Sequence, residues 1–324
     1  QTGAGLPDKE KITGLAALGS VLYAGFLYEG GLYRSRNSGA SWEPMDPALP
    51  ADADFEFLVT VGQRLVVRPR LGGLFVLDED GSAWTRMGSG WYKGRYFYLL
   101  SASGSWLLAG GDGGAFLSAD NGMTWREVHF GPSVGEYEHL CFTSSGPALL
   151  VGTYEDGLFR SVDLGVTWTP VNAGFPSQAE VCGLAWLGND LLAGINDWGP
   201  LEEEMTGEES SGSDGLRGDV FVKAEGSSGW EPVGPPLPPN MERFCLEAVG
   251  ANLLAGGAAG IYLSDDRGRS WRSVWPERCY PPRTFCFEVM EDRVLAGTSE
   301  GIFLSTDRGC SWTNVSQVGT DWSP

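Results

Sequence analysis

The chain has 324 residues, 42 of them acidic and 22 basic, for a formal net charge of −20. A surface of that sign repels phosphate backbones and anionic bilayers, which excludes nucleic acid as a partner. No apolar run approaches the ~18 residues that cross a bilayer, so no membrane insertion is expected. The two histidines, His129 and His139, are too few for a His-based metal cage or a Ser–His–Asp arrangement, and neither metal nor cofactor is expected.

Three markers recur in register along the chain. One is an apolar pair followed by Ala-Gly or a close variant, as in Leu22-Tyr23-Ala24-Gly25 and Leu107-Leu108-Ala109-Gly110. A second is a Gly six residues earlier: Gly19, Gly62, Gly104, Gly146, Gly188 and Gly250. The third is a Trp, at 42, 84, 125, 168, 230, 271 and 312, with spacings of 42, 41, 43, 62, 41 and 41 residues. A fixed period of this size signals a repeat architecture.

In chain order, the first copy (11–46) reads as four short strands: Ile12 to Leu18, Val21 to Leu27, Gly31 to Arg36 and Ser41 to Met45. Gly and Asn/Ser turns punctuate them, a hairpin signal. The second copy (54–87) has degenerate markers, Leu65-Val66-Val67-Arg68 and Glu79, Gly81, Trp84. Its Asp78-Glu79-Asp80-Gly81-Ser82 looks like part of a calcium loop but lacks the later bidentate Glu, so it reads as a turn. The third (95–128) and fourth (137–171) copies are regular. The fifth (179–233) carries an acidic insertion over 196–218, rich in Glu, Ser and Gly, which cannot bury much surface. It closes on Arg217-Gly218-Asp219, an adhesion-type tripeptide that reads here as a loop returning to its strand. The sixth (242–274) and seventh (283–315) copies are regular, and the last contains an Asn314-Val315-Ser316 glycosylation sequon. Cys141, Cys245 and Cys286 share one position of the first strand, with Cys182 one residue off, and read as buried thiols. Four strands per ~42 residues, seven times over, fit a single domain over 1–324: an all-β, seven-bladed β-propeller of four-stranded antiparallel blades. The order of elements places the innermost strand first in each blade and makes the first and last blades contiguous in sequence.

The turn before each Trp has the most specific pattern. It reads Ser118-Ala119-Asp120-Asn121-Gly122-Met123-Thr124-Trp125 and recurs at Ser161 to Trp168, Ser264 to Trp271 and Ser305 to Trp312, with Asn37 replacing the Asp in Ser35 to Trp42. These turns resemble the Asp box of the BNR-repeat propellers, which include the sialidases. The resemblance implies a structural role for Asn37, Asp120, Asp163, Asp266 and Asp307, whose side chains can cap their own turn, and for the Trp wedges Trp42, Trp125, Trp168, Trp271 and Trp312. Sialidases add an Arg-bearing segment before the first blade, and residues 1–11 hold no Arg. Gly31-Leu32-Tyr33-Arg34-Ser35 is similar to repeats of xyloglucan-cleaving enzymes, which set two propellers around a cleft, and the photosystem-assembly propellers supply a non-catalytic precedent.

These features imply a non-catalytic binding or scaffold propeller, monomeric and secreted or periplasmic, with a glycan or protein ligand. The alternative is a glycoside hydrolase or polysaccharide lyase acting on an extracellular polysaccharide. The expected ligand surface is the channel mouth reached by the fourth-to-first strand connections. Fourteen residues before each marker position (Gly in six copies, Arg68 in the second) stand Lys11, Asp54, Tyr96, Glu138, Glu180, Glu242 and Arg283. Of the residues there and beside it, Glu138, Glu180, Glu242, Arg283, Arg95, Arg243, Tyr92 and Tyr154 combine charge with aromatic faces suited to a sugar or a charged peptide.

Overall fold

The computed structural model describes residues 5–6, 12–26, 31–45, 55–69, 73–77, 83–87, 97–111, 114–130, 140–154, 156–177, 179–197, 217–238, 241, 244–275 and 281–316. The described strands form seven four-stranded antiparallel sheets, each ordered as in the sequence. The first strands are Ile12–Leu18, Phe55–Val61, Phe97–Ser103, Leu140–Ser145, Ala179–Leu187, Cys245–Val249 and Thr284–Met290. Each packs on the first strand of the next sheet, and the seventh packs on the first. That closed ring of inner strands makes the molecule a seven-bladed β-propeller. The first and last blades are built from contiguous sequence, and no strand is exchanged at the seam.

The core is divided among the blade interfaces. Leu107 and Ala109 of blade 3 pack with Val66 and Val76 of blade 2, and Leu253 and Ala255 of blade 6 pack with Leu192 and Val220 of blade 5. Second strands are buried on both faces because each blade is covered on both sides, so their sequences run apolar without alternation. The marker Gly of the second strand pairs with the same first-strand position in successive blades, for example Cys141↔Gly152, Cys245↔Gly256 and Cys286↔Gly297. A Cβ on Gly152 would lie 2.4 Å from Cys141 Sγ and 2.6 Å from Val181 of the next blade, so a side chain there would wedge the blades apart. Blade 2 carries Arg68 at this position; it is buried, with its guanidinium 5.7 Å from the centre of the Phe57 ring.

The octapeptide turns are self-contained hydrogen-bond units. Asp120 Oδ1 accepts from the Thr124 backbone N–H at 2.8 Å and from Ser118 Oγ at 2.8 Å, while Oδ2 accepts from Thr124 Oγ1 at 2.6 Å. Ser118 Oγ in turn accepts the Gly122 N–H at 2.8 Å. The same set recurs around Asp163, Asp266 and Asp307, and Asn37 reproduces the bonds to Ser35 and Ser41. Trp125, Trp168 and Trp312 each donate Nε1–H to the carbonyl of the turn's Gly at 2.8–3.1 Å. The residue before that Gly also takes a positive φ, as at Asn121 (57°) and Leu164 (61°), so the turn needs two left-handed residues in succession. These bonds hold the Asp163 carboxyl at about 2, the Thr167 hydroxyl contributing most.

Two expectations change in detail. The segment read as a loop over 196–218 is partly strand: Asn196 pairs with Gly218 and Asp197 with Arg217, so the ladder runs two residue pairs further. The reason is packing, because Asn196 is buried against Glu180 and bare Gly218 lies where a Cβ would meet the Phe244 ring at 2.9 Å. The Arg-Gly-Asp tripeptide therefore lies flat in a sheet. Asp78 to Ser82 and His139 fall outside the described residues.

Candidate functional site

The inner strands enclose a cavity of about 470 Å³ on the ring axis, with lining contributed by all seven blades. Its walls alternate in character. Phe57, Val59, Phe285 and Phe287 present apolar surface, and Cys141, Cys182, Cys245 and Cys286 form an arc of free thiols over four consecutive blades. Cys182, one residue out of phase with the other three, joins that arc as the bulged residue between Val181 and Gly183. Burial pushes all four thiols up, Cys141 and Cys286 to about 12, so they remain protonated.

Two carboxyls line the same cavity, Glu247 of blade 6 and Glu288 of blade 7. Both stand three residues before the turn that ends the inner strand, at Gly250 and Glu291. The other blades carry Ala16, Val59, Ser101, Thr143 and Ala185 there. Glu288 Oε1 accepts the backbone N–H of Ala17 from blade 1 at 2.9 Å, whereas Glu247 has no hydrogen-bond partner among the described residues. Burial pushes Glu247 up to about 7 and Glu288 up to about 8, the latter raised further by Glu247. Sequence reasoning missed this pair. The signal was present as an acidic residue at a small or apolar repeat position, repeated in adjacent blades.

The expected mouth residues separate. Glu180 is 1% exposed, accepts a hydrogen bond from Asn196 Nδ2 at 3.1 Å, and lies near enough to Cys141 and Cys182 to raise both thiols. Enclosure by the first two strands of blade 5 takes it off the open rim. Arg283 is exposed, its backbone N–H held by Ser299 Oγ at 3.1 Å. Tyr154 is half-buried at the end of the second strand of blade 4. Glu138, Glu242, Arg95, Arg243 and Tyr92 lie outside the described residues, as do Lys11, Asp54 and Tyr96.

Among the described residues, one blade extends further than the rest on this face. The second strand of blade 5, Asp190–Asp197, has eight residues where that strand has six in the other blades. Two more residue pairs lift this hairpin by roughly 6–7 Å on the face where the inner strands begin. The following segment braces it: Leu237 N–H bonds to Gly218 O at 2.8 Å, and Met241 and Phe244 are buried behind it. Among the described residues no group of three or more His, Cys, Asp or Glu side chains is arranged to hold a metal ion.

No protein-family model matches the chain, and no curated protein matches it in sequence. Solved structures match in fold. YCF48 bound to D1 peptide is 16% identical with a TM-score of 0.64, over 94% of this chain and 98% of that one. The GH74 xyloglucanase from Xanthomonas campestris is 17% identical with a TM-score of 0.64; the match covers 96% of this chain but 55% of the enzyme. The extracellular domain of the putative one component system BT4673 from B. thetaiotaomicron is 12% identical with a TM-score of 0.66, over 94% of this chain and 40% of that one. These likenesses show the fold alone, and they span both binding proteins and enzymes.

Proposed function

We propose that the chain is a non-catalytic binding propeller of the BNR, Asp-box type, one unit over 1–324, exported and monomeric. It holds a glycan or protein ligand at the mouth where the inner strands begin. The observation that carries this reading is the blade 5 hairpin, which among the described residues runs two residue pairs further than the matching hairpins of the other blades. Exposed Arg283 and the half-buried ring of Tyr154 lie on the same face. By their sequence positions at or near the starts of the inner strands, Glu138, Glu242, Arg95, Arg243 and Tyr92 are assigned to the contact surface, and enclosed Glu180 accepts a bond from Asn196. The peptide held by YCF48 is a precedent for a ligand on this fold.

The two cavity carboxyls do not form a glycosidase-type pair. A glycosidase sets its two carboxyls apart in pKa, one kept protonated and one ionised. Here burial pushes Glu247 and Glu288 in the same direction. The fold match to the GH74 xyloglucanase covers about half of that enzyme.

The test is a glycan array and a peptide display screen with the purified protein. Arg283→Ala, Glu138→Gln and Glu242→Gln are then measured against whichever ligand emerges, and loss of binding with an unchanged melting curve is expected. If those variants bind normally while substitutions on the opposite face, such as Arg269→Ala, abolish binding, the reading has the wrong face. Release of reducing ends from a polysaccharide would replace it with the hydrolase alternative.

A further inference from the structure

We propose that the axial cavity binds a small primary alkylammonium ion, with Glu247 and Glu288 taking its charge and the inner-strand aromatics taking its alkyl stem. This site lies below the mouth and does not depend on the mouth being a ligand surface.

The argument starts from an imbalance. Burying a carboxyl without a partner is costly, and proteins pair such groups or neutralise them. Glu247 is half-buried in the ring, lines the cavity, and finds no hydrogen-bond partner among the described residues. Glu288 uses one oxygen on the Ala17 N–H and leaves the other available. No Lys, Arg or His is among the lining residues, and the buried guanidinium of Arg68 lies over Phe57 rather than in the wall. Two acids at one repeat position in adjacent blades thus converge on one space with no opposite charge among its described lining residues.

The space selects the ligand class. About 470 Å³ lies within the range of small-molecule sites. An ammonium carries three donors, enough for both carboxyls. Phe57, Phe285 and Phe287 are half-buried, with the rest of their surface in the cavity, and suit both an alkyl stem and the approach of a cation to a ring face. A divalent metal fits less well, because the described lining does not assemble three hard ligands.

The site is linked to protons. The titratable groups facing Glu247 and Glu288 are each other and the thiols of Cys245 and Cys286, with Cys141 and Cys182 further round the wall. All four thiols stay neutral through the range in which the acids titrate. Binding of a cation therefore expels protons from the two carboxyls, and affinity rises with pH up to the point at which the amine itself loses its charge.

The experiment is calorimetric titration of the whole chain with n-butylammonium at pH 6 and pH 9, with n-butanol as the neutral isostere. One ammonium per chain is expected at pH 9, bound about ten-fold or more tightly than at pH 6, and no saturable binding of n-butanol. Glu247→Gln and Glu288→Gln should each weaken binding about ten-fold or more while keeping the circular dichroism of the parent. The wild-type comparison of ammonium with alcohol needs no variant, so a variant that fails to fold does not remove the test. Absence of n-butylammonium binding at both pH values, equal binding of n-butanol, or undiminished binding by a folded double variant would each overturn the proposal.

Discussion

Glu288 in the last blade accepts a hydrogen bond from the backbone N–H of Ala17 in the first, at 2.9 Å across 271 residues of sequence. Many rings of this kind could be closed by lending a strand from one terminus to the other. Here each terminal blade is complete, and the seam is held by packing of Ile12, Leu15 and Leu22 on Leu295 and Ile302 and by this bond. Comparable polar stitches join other blades, such as Ser103 Oγ to Ser144 Oγ at 2.8 Å and Trp186 Nε1 to Thr143 Oγ1 at 3.1 Å.

Glu288→Ala leaves the Ala17 N–H without its acceptor at a part-buried seam and should destabilise the protein by about 1–2 kcal/mol. Glu288→Gln keeps the acceptor and should cost far less. Hydrogen exchange would show faster exchange in blades 1 and 7 of the Ala variant than in blade 4. Uniform acceleration in all blades would mean that the seam is not a locally weak point.

Stability should fall as pH rises through neutrality. Glu247 and Glu288 have folded pKa values of about 7 and about 8, against an ordinary value of 4.5. Between 4.5 and those values the folded state holds protons that the unfolded state has released. The slope of unfolding free energy with pH is therefore negative over that interval. The turn carboxyls act oppositely, since Asp163 at about 2 favours folding above 3.8 and loses that effect as pH falls. Urea midpoints should peak near pH 4–5 and decline towards pH 8, and the Glu247→Gln, Glu288→Gln double variant should flatten the decline. An unchanged slope in that variant would assign it to other groups.

Asp120→Ala should cost about 1–2 kcal/mol, because it strips three acceptor contacts from a single turn. Trp125→Ala should cost about 3–5 kcal/mol, since the ring fills the blade 2–3 interface beside Met87 and Leu107. Chemical denaturation measures both. Neither change touches the mouth or the cavity, so ligand binding by the folded variants should match the parent.

Glu291→Gly should stabilise the chain by about 0.5–1 kcal/mol. The turn ending each inner strand uses φ near +60°, met by Gly in six blades (Gly19 59°, Gly188 65°), but blade 7 places Glu291 there at 56°. A left-handed non-Gly residue costs roughly 1–2 kcal/mol, partly offset by the greater freedom of Gly in the unfolded chain. A lower thermal midpoint for Glu291→Gly would mean that the Glu side chain contributes more than its backbone costs.

The blade count, the four strands of each blade and their phase were determined by the sequence itself. Those features rest on local chemistry: turns that need left-handed residues, short apolar runs between them, and a Ser-x-Asp-x-Gly turn that satisfies its own hydrogen bonds before any distant contact forms. What faces the axis was decided by tertiary structure. Glu180 and Arg283 occupy equivalent positions in the sequence, yet one is enclosed against Asn196 and the other is exposed. The difference accompanies a blade 5 hairpin two pairs longer, which has no periodic signature; the bulge at Val181 is shared with blade 7, where it falls between Thr284 and Cys286. Glu247 and Glu288 are ordinary acidic residues until the ring closes. Only then do blades 6, 7 and 1 partly bury both carboxyls and bring them to one cavity, because seven separate inner strands must meet on one axis to make it.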